Sequence, residues 1–113
     1  MSADEFRQLA LSFPETIETS PLGVPDFCVR TKTFAGLGYP IGERASLKLK
    51  PEQQAEYMAA EPKQVFLAKG PRGKRGWTIV ELPAANPELL KAALGAAWRN
   101  AAPKKLVQEY ESD

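Results

Sequence analysis

Residues 44–62 read RASLKLKPEQQAEYMAAEP, and the change of period inside this stretch decides the fold class. Up to Lys50 the pattern alternates strictly, which on a pleated strand sends Leu47 and Leu49 to one face and Lys48 and Lys50 to the other. Pro51 then fits the first turn of a helix, where its missing N–H costs nothing and its fixed φ is already helical. The following ten residues carry no strand pattern and stop at Pro62. A two-sided strand running directly into a short helix predicts an α+β chain with a helix inserted in the strand series.

The same signals extend both ways. Downstream, residues 63–82, KQVFLAKGPRGKRGWTIVEL, read as strand, basic turn, strand. Asn86 and Pro87 supply a cap and a first turn for residues 86–102, where Leu90, Ala93, Leu94, Ala97 and Trp98 form one apolar stripe. Pro103 ends that pattern, and residues 104–112, KKLVQEYES, predict a short terminal helix. Upstream, residues 15–20 (ETIETS) and 26–38 (DFCVRTKTFAGLG) are rich in β-branched and aromatic residues between Pro and Gly punctuation, and predict antiparallel strands. Ser2 with Glu5 fits a capping box for a first helix whose stripe is Phe6, Leu9, Ala10 and Phe13, ended by Pro14. The expectation is a single domain over residues 1–113, with N-terminal, internal and C-terminal helices around a mainly antiparallel sheet.

The chain has one cysteine, Cys28, and no histidine. Internal disulfides, Cys/His zinc sites and imidazole-based triads are therefore excluded. Cys28 reads as a small buried hydrophobe, since nothing activates it as a nucleophile. The acid pairs Glu52/Glu56 and Glu109/Glu111 lack the apolar setting that raises a carboxyl pKa for acid–base work, and read as solvated faces. No enzyme, cofactor or metal is expected. The acidic N-terminus has no secretory-signal pattern and no run is long enough to span a membrane, so a cytoplasmic location is expected.

Net charge is only +1, but it is segregated. Asp4, Glu5, Glu15 and Glu18 face a single Arg7 in residues 1–19, and Glu109, Glu111 and Asp113 close the chain. Between residues 63 and 75 stand Lys63, Lys69, Arg72, Lys74 and Arg75 with no acid, and Arg99, Lys104 and Lys105 form a second group. Gly70, Gly73 and Gly76 do not match a P-loop or a dinucleotide fingerprint, because the intervals differ and a strand follows. The GXXG match to KH loops fails on context, since here strands flank it. RGWTIVEL matches the RRM strand at Arg75, Gly76, Trp77 and Val80 only. Two readings of the turn stay open. One is a hairpin tip kept soluble by its cations. The other is a basic wing that reaches DNA phosphates, its glycines loosening the backbone and Trp77 either in the core with Ile79 or against a sugar or base.

Five stretches in order, EFRQLALSFPETIET (5–19), GVPDFCVRTKTFAGLG (23–38), SLKLKPEQQAEY (46–57), RGWTIVEL (75–82) and AAWRNAAPKKL (96–106), resemble the MmcQ/YjbR family of small bacterial proteins. The resemblance implies a CyaY-like α+β fold and, by analogy with a double-wing arrangement, DNA binding. The wing would carry Lys69, Arg72, Lys74 and Arg75 and end at Trp77, with Lys104 and Lys105 in support and no catalytic residue. Tight binding would need dimerisation or a second basic surface from Arg30, Lys32 and Lys48. The frataxin-like iron site that the fold name evokes needs an acidic ridge, and the first helix offers only Asp4 and Glu5. The alternative function is a protein-interaction or regulatory module that binds an acidic partner and no nucleic acid.

Overall fold

The computed structural model describes residues 1–20, 23–38 and 40–112. Residues 44–62 form a strand and a helix, as their period predicts: β4 covers Arg44–Lys48 and α2 covers Pro51–Ala60. Leu47 and Leu49 are buried, and Lys48 and Lys50 are exposed. Around β4 the other strands are β1 (Thr16–Thr19), β2 (Asp26–Val29), β3 (Lys32–Leu37), β5 (Val65–Leu67) and β6 (Trp77–Glu81). They form a six-stranded sheet in the order β1-β2-β3-β4-β6-β5. All neighbours are antiparallel. The first four strands are a meander, which short connections such as the two residues Arg30 and Thr31 enforce. The α2 crossover then places β5 at the edge, and β6 returns between β5 and β4.

Cross-strand register decides which face is buried. Phe27, Ala35, Leu47 and Thr78 are aligned across β2, β3, β4 and β6, and all four are buried. Leu37, Ala45, Val80 and Val65 form the next inward row. Pairing between β2 and β3 skips Phe34, so this extra residue joins Ala35 in the core. Asp26, Ser46, Ile79 and Phe66 alternate with the inward rows and are only half-buried. The sheet is therefore covered on one face and open on the other. Cys28 lies on this open side, half-buried, with its sulfur 3.3 Å from Thr33 Oγ1. The expectation that it is a core hydrophobe fails, because one position of strand parity sends it outward.

The inner face is covered by α1 (Ala3–Leu11), α4 (Pro87–Ala101) and α5 (Lys104–Glu111), with Tyr57 and Met58 of α2 packing at its edge. The Ser2–Glu5 capping box is present in both directions, and its backbone hydrogen bond holds the Glu5 carboxyl below its ordinary pKa. Asn86 Oδ1 accepts from the Glu88 and Leu89 amides. The full α4 stripe is buried. Phe6 meets Phe27 edge-on at 5.9 Å between ring centroids. At the far end, fully buried Trp98 stacks on Phe13 at 5.7 Å and takes Tyr110 edge-on at 5.0 Å. Its Nε1 donates to Pro14 O at 3.1 Å. One indole thus ties the exit of α1, the body of α4 and the end of α5 together.

Replacing it tests that role. Trp98→Ala is expected to lower unfolding free energy by about 3–5 kcal/mol in urea titration, the range for emptying a large aromatic site. A loss under about 1 kcal/mol would show that the two terminal helices are held elsewhere.

Candidate nucleic-acid interface

The basic stretch between β5 and β6 is more tightly built than an open hairpin tip. Residues Pro71–Lys74 form a single turn of helix, α3. Pro71 presets the first helical φ, and the Arg75 amide donates to Pro71 O at 3.1 Å. Ala68 N donates to Trp77 O at 3.0 Å, closing the ladder beneath the turn. The glycines tighten this turn, where the sequence suggested that they loosen it. A Cβ on Gly73 would stand 2.3 Å from Ala68 O, so only glycine lets α3 settle onto the end of β5. Gly76, at φ +105°, has backbone that L side chains rarely adopt, and a Cβ there would meet Leu49 O at 2.3 Å.

Below the turn sits a buried amide. Gln54 Nε2 donates to Gly73 O at 3.2 Å and to Thr78 Oγ1 at 3.1 Å, and Thr78 Oγ1 donates onward to Gly76 O at 3.1 Å. Gln54 and Thr78 are the buried polar residues among those described, and each satisfies the other. Helix α2 thereby fixes the turn it does not adjoin in sequence. Nothing in the local pattern marks Gln54, since its neighbours Gln53 and Ala55 read equally as surface.

Electrostatics sets the turn apart. Arg7, Arg30, Arg44 and Arg99 are ion-paired with Glu18, Glu15, Glu81 and Glu111 respectively. The two other arginines of the chain, Arg72 and Arg75, both lie at the turn, and neither forms an ion pair among the described residues. Lys69, Arg72, Lys74 and Arg75 are all exposed. The carboxylate that feels Arg72 is Asp26, on the open face. Burial pushes its pKa up, and Arg72 pulls in the opposite direction. Glu111 is in an ion pair as well as exposed, and Asp113 lies outside the described residues.

Trp77 is not in the core. It shares a face with Ile79, as the alternation requires, but that face is the open one, because Thr78 and Val80 take the buried positions. The Arg72 guanidinium lies 5.3 Å from the indole centroid and Lys48 Nζ 5.9 Å from it. The indole thus gathers cations from α3 and β4.

Beside it opens a cleft of about 610 Å³, lined by Lys32, Lys48, Lys50, Arg75, Trp77 and Asn100 over an apolar floor that includes Leu49 and Ala97. Among the described residues, no acidic one lines it. Gln53 Oε1 accepts from the Lys50 amide at 2.9 Å and from Asn100 Nδ2 at 2.8 Å, which pins the end of β4, the start of α2 and the end of α4. Of the second basic surface expected from Arg30, Lys32 and Lys48, the structure brings Lys32 and Lys48 to the cleft, while Arg30 is held by Glu15. Lys104 and Lys105 are exposed at the start of α5. Lys50 and Asn100 were missed as site residues, because each reads alone as a solvated side chain and only tertiary closure brings them together.

The YjbR family model matches residues 11–100. A crystal structure of a Deinococcus radiodurans protein with a DUF419 domain superposes with a TM-score of 0.74 at 24% identity, covering 96% of this chain and 86% of that one. A Pseudomonas syringae protein superposes with a TM-score of 0.70 at 14% identity, covering 90% and 100%. These likenesses support the α+β fold. No curated protein matches the chain.

The hydrogen-bonded amide under the turn gives a test. Gln54→Met keeps approximate volume but removes the buried side-chain donor to Gly73 O and Thr78 Oγ1, leaving Gly73 O with the Gly76 amide alone. The expected cost is about 1–3 kcal/mol, with faster amide hydrogen exchange at Arg75 and Gly76. Unchanged exchange at those two amides would mean that the turn holds itself.

Proposed function

The chain belongs to the YjbR family, and from the charge distribution on this fold we propose that it is a non-catalytic DNA-binding protein that contacts the phosphate backbone through the α3 turn. The observation that carries this reading is the partition of the arginines: four are held by glutamates, while Arg72 and Arg75 stand exposed with Lys69 and Lys74 on one rigid turn. Guanidinium and ammonium groups that form no ion pair among the described residues can exchange their counterions for phosphates. Trp77 supports the contact by holding Arg72 over its ring. The interface lacks a recognition helix, so the reading is of weakly sequence-selective binding, with the turn positioning the protein on the backbone. Lys104 and Lys105, exposed at the start of α5, are read as supporting contacts to the same backbone.

None of the helices among the described residues is long and apolar enough to cross a membrane. A cytoplasmic location fits that coarse finding and the proposed ligand.

Salt titration with duplex DNA checks the reading. Four phosphate contacts predict a slope of log affinity against log salt of roughly −3 to −4, and the Arg72→Ala/Lys74→Ala/Arg75→Ala variant should flatten it to about −1. A slope that ignores the triple substitution, or no binding at low salt, would reject the DNA assignment and favour an acidic protein partner.

A further inference from the structure

The cleft next to the turn has features that a backbone-contacting surface does not need. It is concave, its volume of about 610 Å³ falls within the size range of small-ligand sites, and its floor is apolar. Lys32 comes from β3, Lys48 from the end of β4, Lys50 from the residue before α2, and Arg75 from the residue after α3. Four cations from three separate parts of the chain thus line one depression with no acid among them. Like charges brought together repel, and elsewhere this chain places glutamates against its arginines. The walls are also fixed before any ligand arrives, through the Gln53 bridge between the Lys50 amide and Asn100 and through Leu49 N donating to Gly76 O at 2.8 Å.

We propose that this cleft binds a small phosphorylated organic ligand, with a diphosphate group held by Lys32, Lys50 and Arg75 and an apolar or planar body lying against Trp77, Pro51 and Ala101. One lysine ammonium from β3, one from the residue before α2 and one guanidinium can surround phosphate oxygens from different sides, and charge-assisted hydrogen bonds of this type are the strong ones. Lys48 would be drawn from the Trp77 ring toward the ligand, leaving that edge of the indole open to the organic body. Arg75 belongs to both this cleft and the proposed DNA face, so a bound diphosphate competes with DNA for one cation. The cleft's own binding does not depend on the DNA reading.

Isothermal titration calorimetry of the full chain at low ionic strength, with ADP and separately with inorganic pyrophosphate, tests the proposal. ADP is expected to give saturable one-site binding, weakened by at least about tenfold in Lys32→Ala/Lys50→Ala, whose substitutions are at exposed positions. Pyrophosphate binding as tightly as ADP would overturn the part of the proposal that seats an organic body in the cleft. Tighter ADP binding would support an added share from the organic body. Absence of saturable heat with both probes, or equal affinity in the double variant while its thermal midpoint matches that of the wild type, would overturn the proposal. A failed DNA titration would leave this measurement standing, because ligand heat is read without DNA.

Discussion

The buried side-chain amide of Gln54 is the contact on which the basic surface depends. A short turn carrying four exposed cations has a strong tendency to stay open, since its charges repel and its glycines give the unfolded backbone many states to lose. Two backbone carbonyls, of Gly73 and Gly76, are instead captured by the Gln54–Thr78 pair. Each carbonyl also has a backbone donor, Gly76 N at 3.1 Å for Gly73 O and Leu49 N at 2.8 Å for Gly76 O, so the pair adds a second, buried hydrogen bond that ties the turn to α2. The glycines allow the close approach and the amide fixes it. Cations placed on such a frame keep their spacing whether or not a ligand is present.

Charge follows the same division between framework and open surface. Ion pairs on exposed residues are worth little in stability, with a median near 0–1 kcal/mol. Their pattern is nevertheless informative here. Arg7–Glu18 joins α1 to β1, Arg30–Glu15 joins the β2–β3 connection to the start of β1, and Arg99–Glu111 joins α4 to α5. Each links neighbouring elements of the scaffold. The turn and the cleft are the places where the chain concentrates positive charge without that compensation, and Trp77 sits at their boundary with a cation from each side. A net charge of +1 conceals this arrangement entirely.

Much of the fold could be read from local pattern. Alternation at Leu47–Lys50, Pro51 at a first turn, the Ser2–Glu5 box and the Asn86 cap each act within a few residues, and each is found where the pattern put it. Local signals failed where a choice was made in three dimensions. Alternation showed that Trp77 and Ile79 share a face, but the identity of the covered face depends on where α4 packs. The same ambiguity misplaced Cys28. Proline and glycine around residues 70–76 mark a reversal equally well for a loose hairpin and for a turn of helix, and the deciding contact comes from Gln54 in another element. The cleft was the least legible feature, since Lys32, Lys50 and Asn100 are ordinary surface residues in sequence and become neighbours only when the sheet and α4 close.

The two tryptophans occupy opposite environments, and this gives the molecule two separate optical probes. Trp98 is sealed between Phe13 and Tyr110 with its N–H bound to a carbonyl, so its emission should be blue-shifted and silent to solutes until the helices come apart. Trp77 is half-exposed beneath cations, where iodide is attracted and cesium repelled. Quenching that differs between these two ions therefore reports on the open face alone, in the intact wild-type chain and without any label.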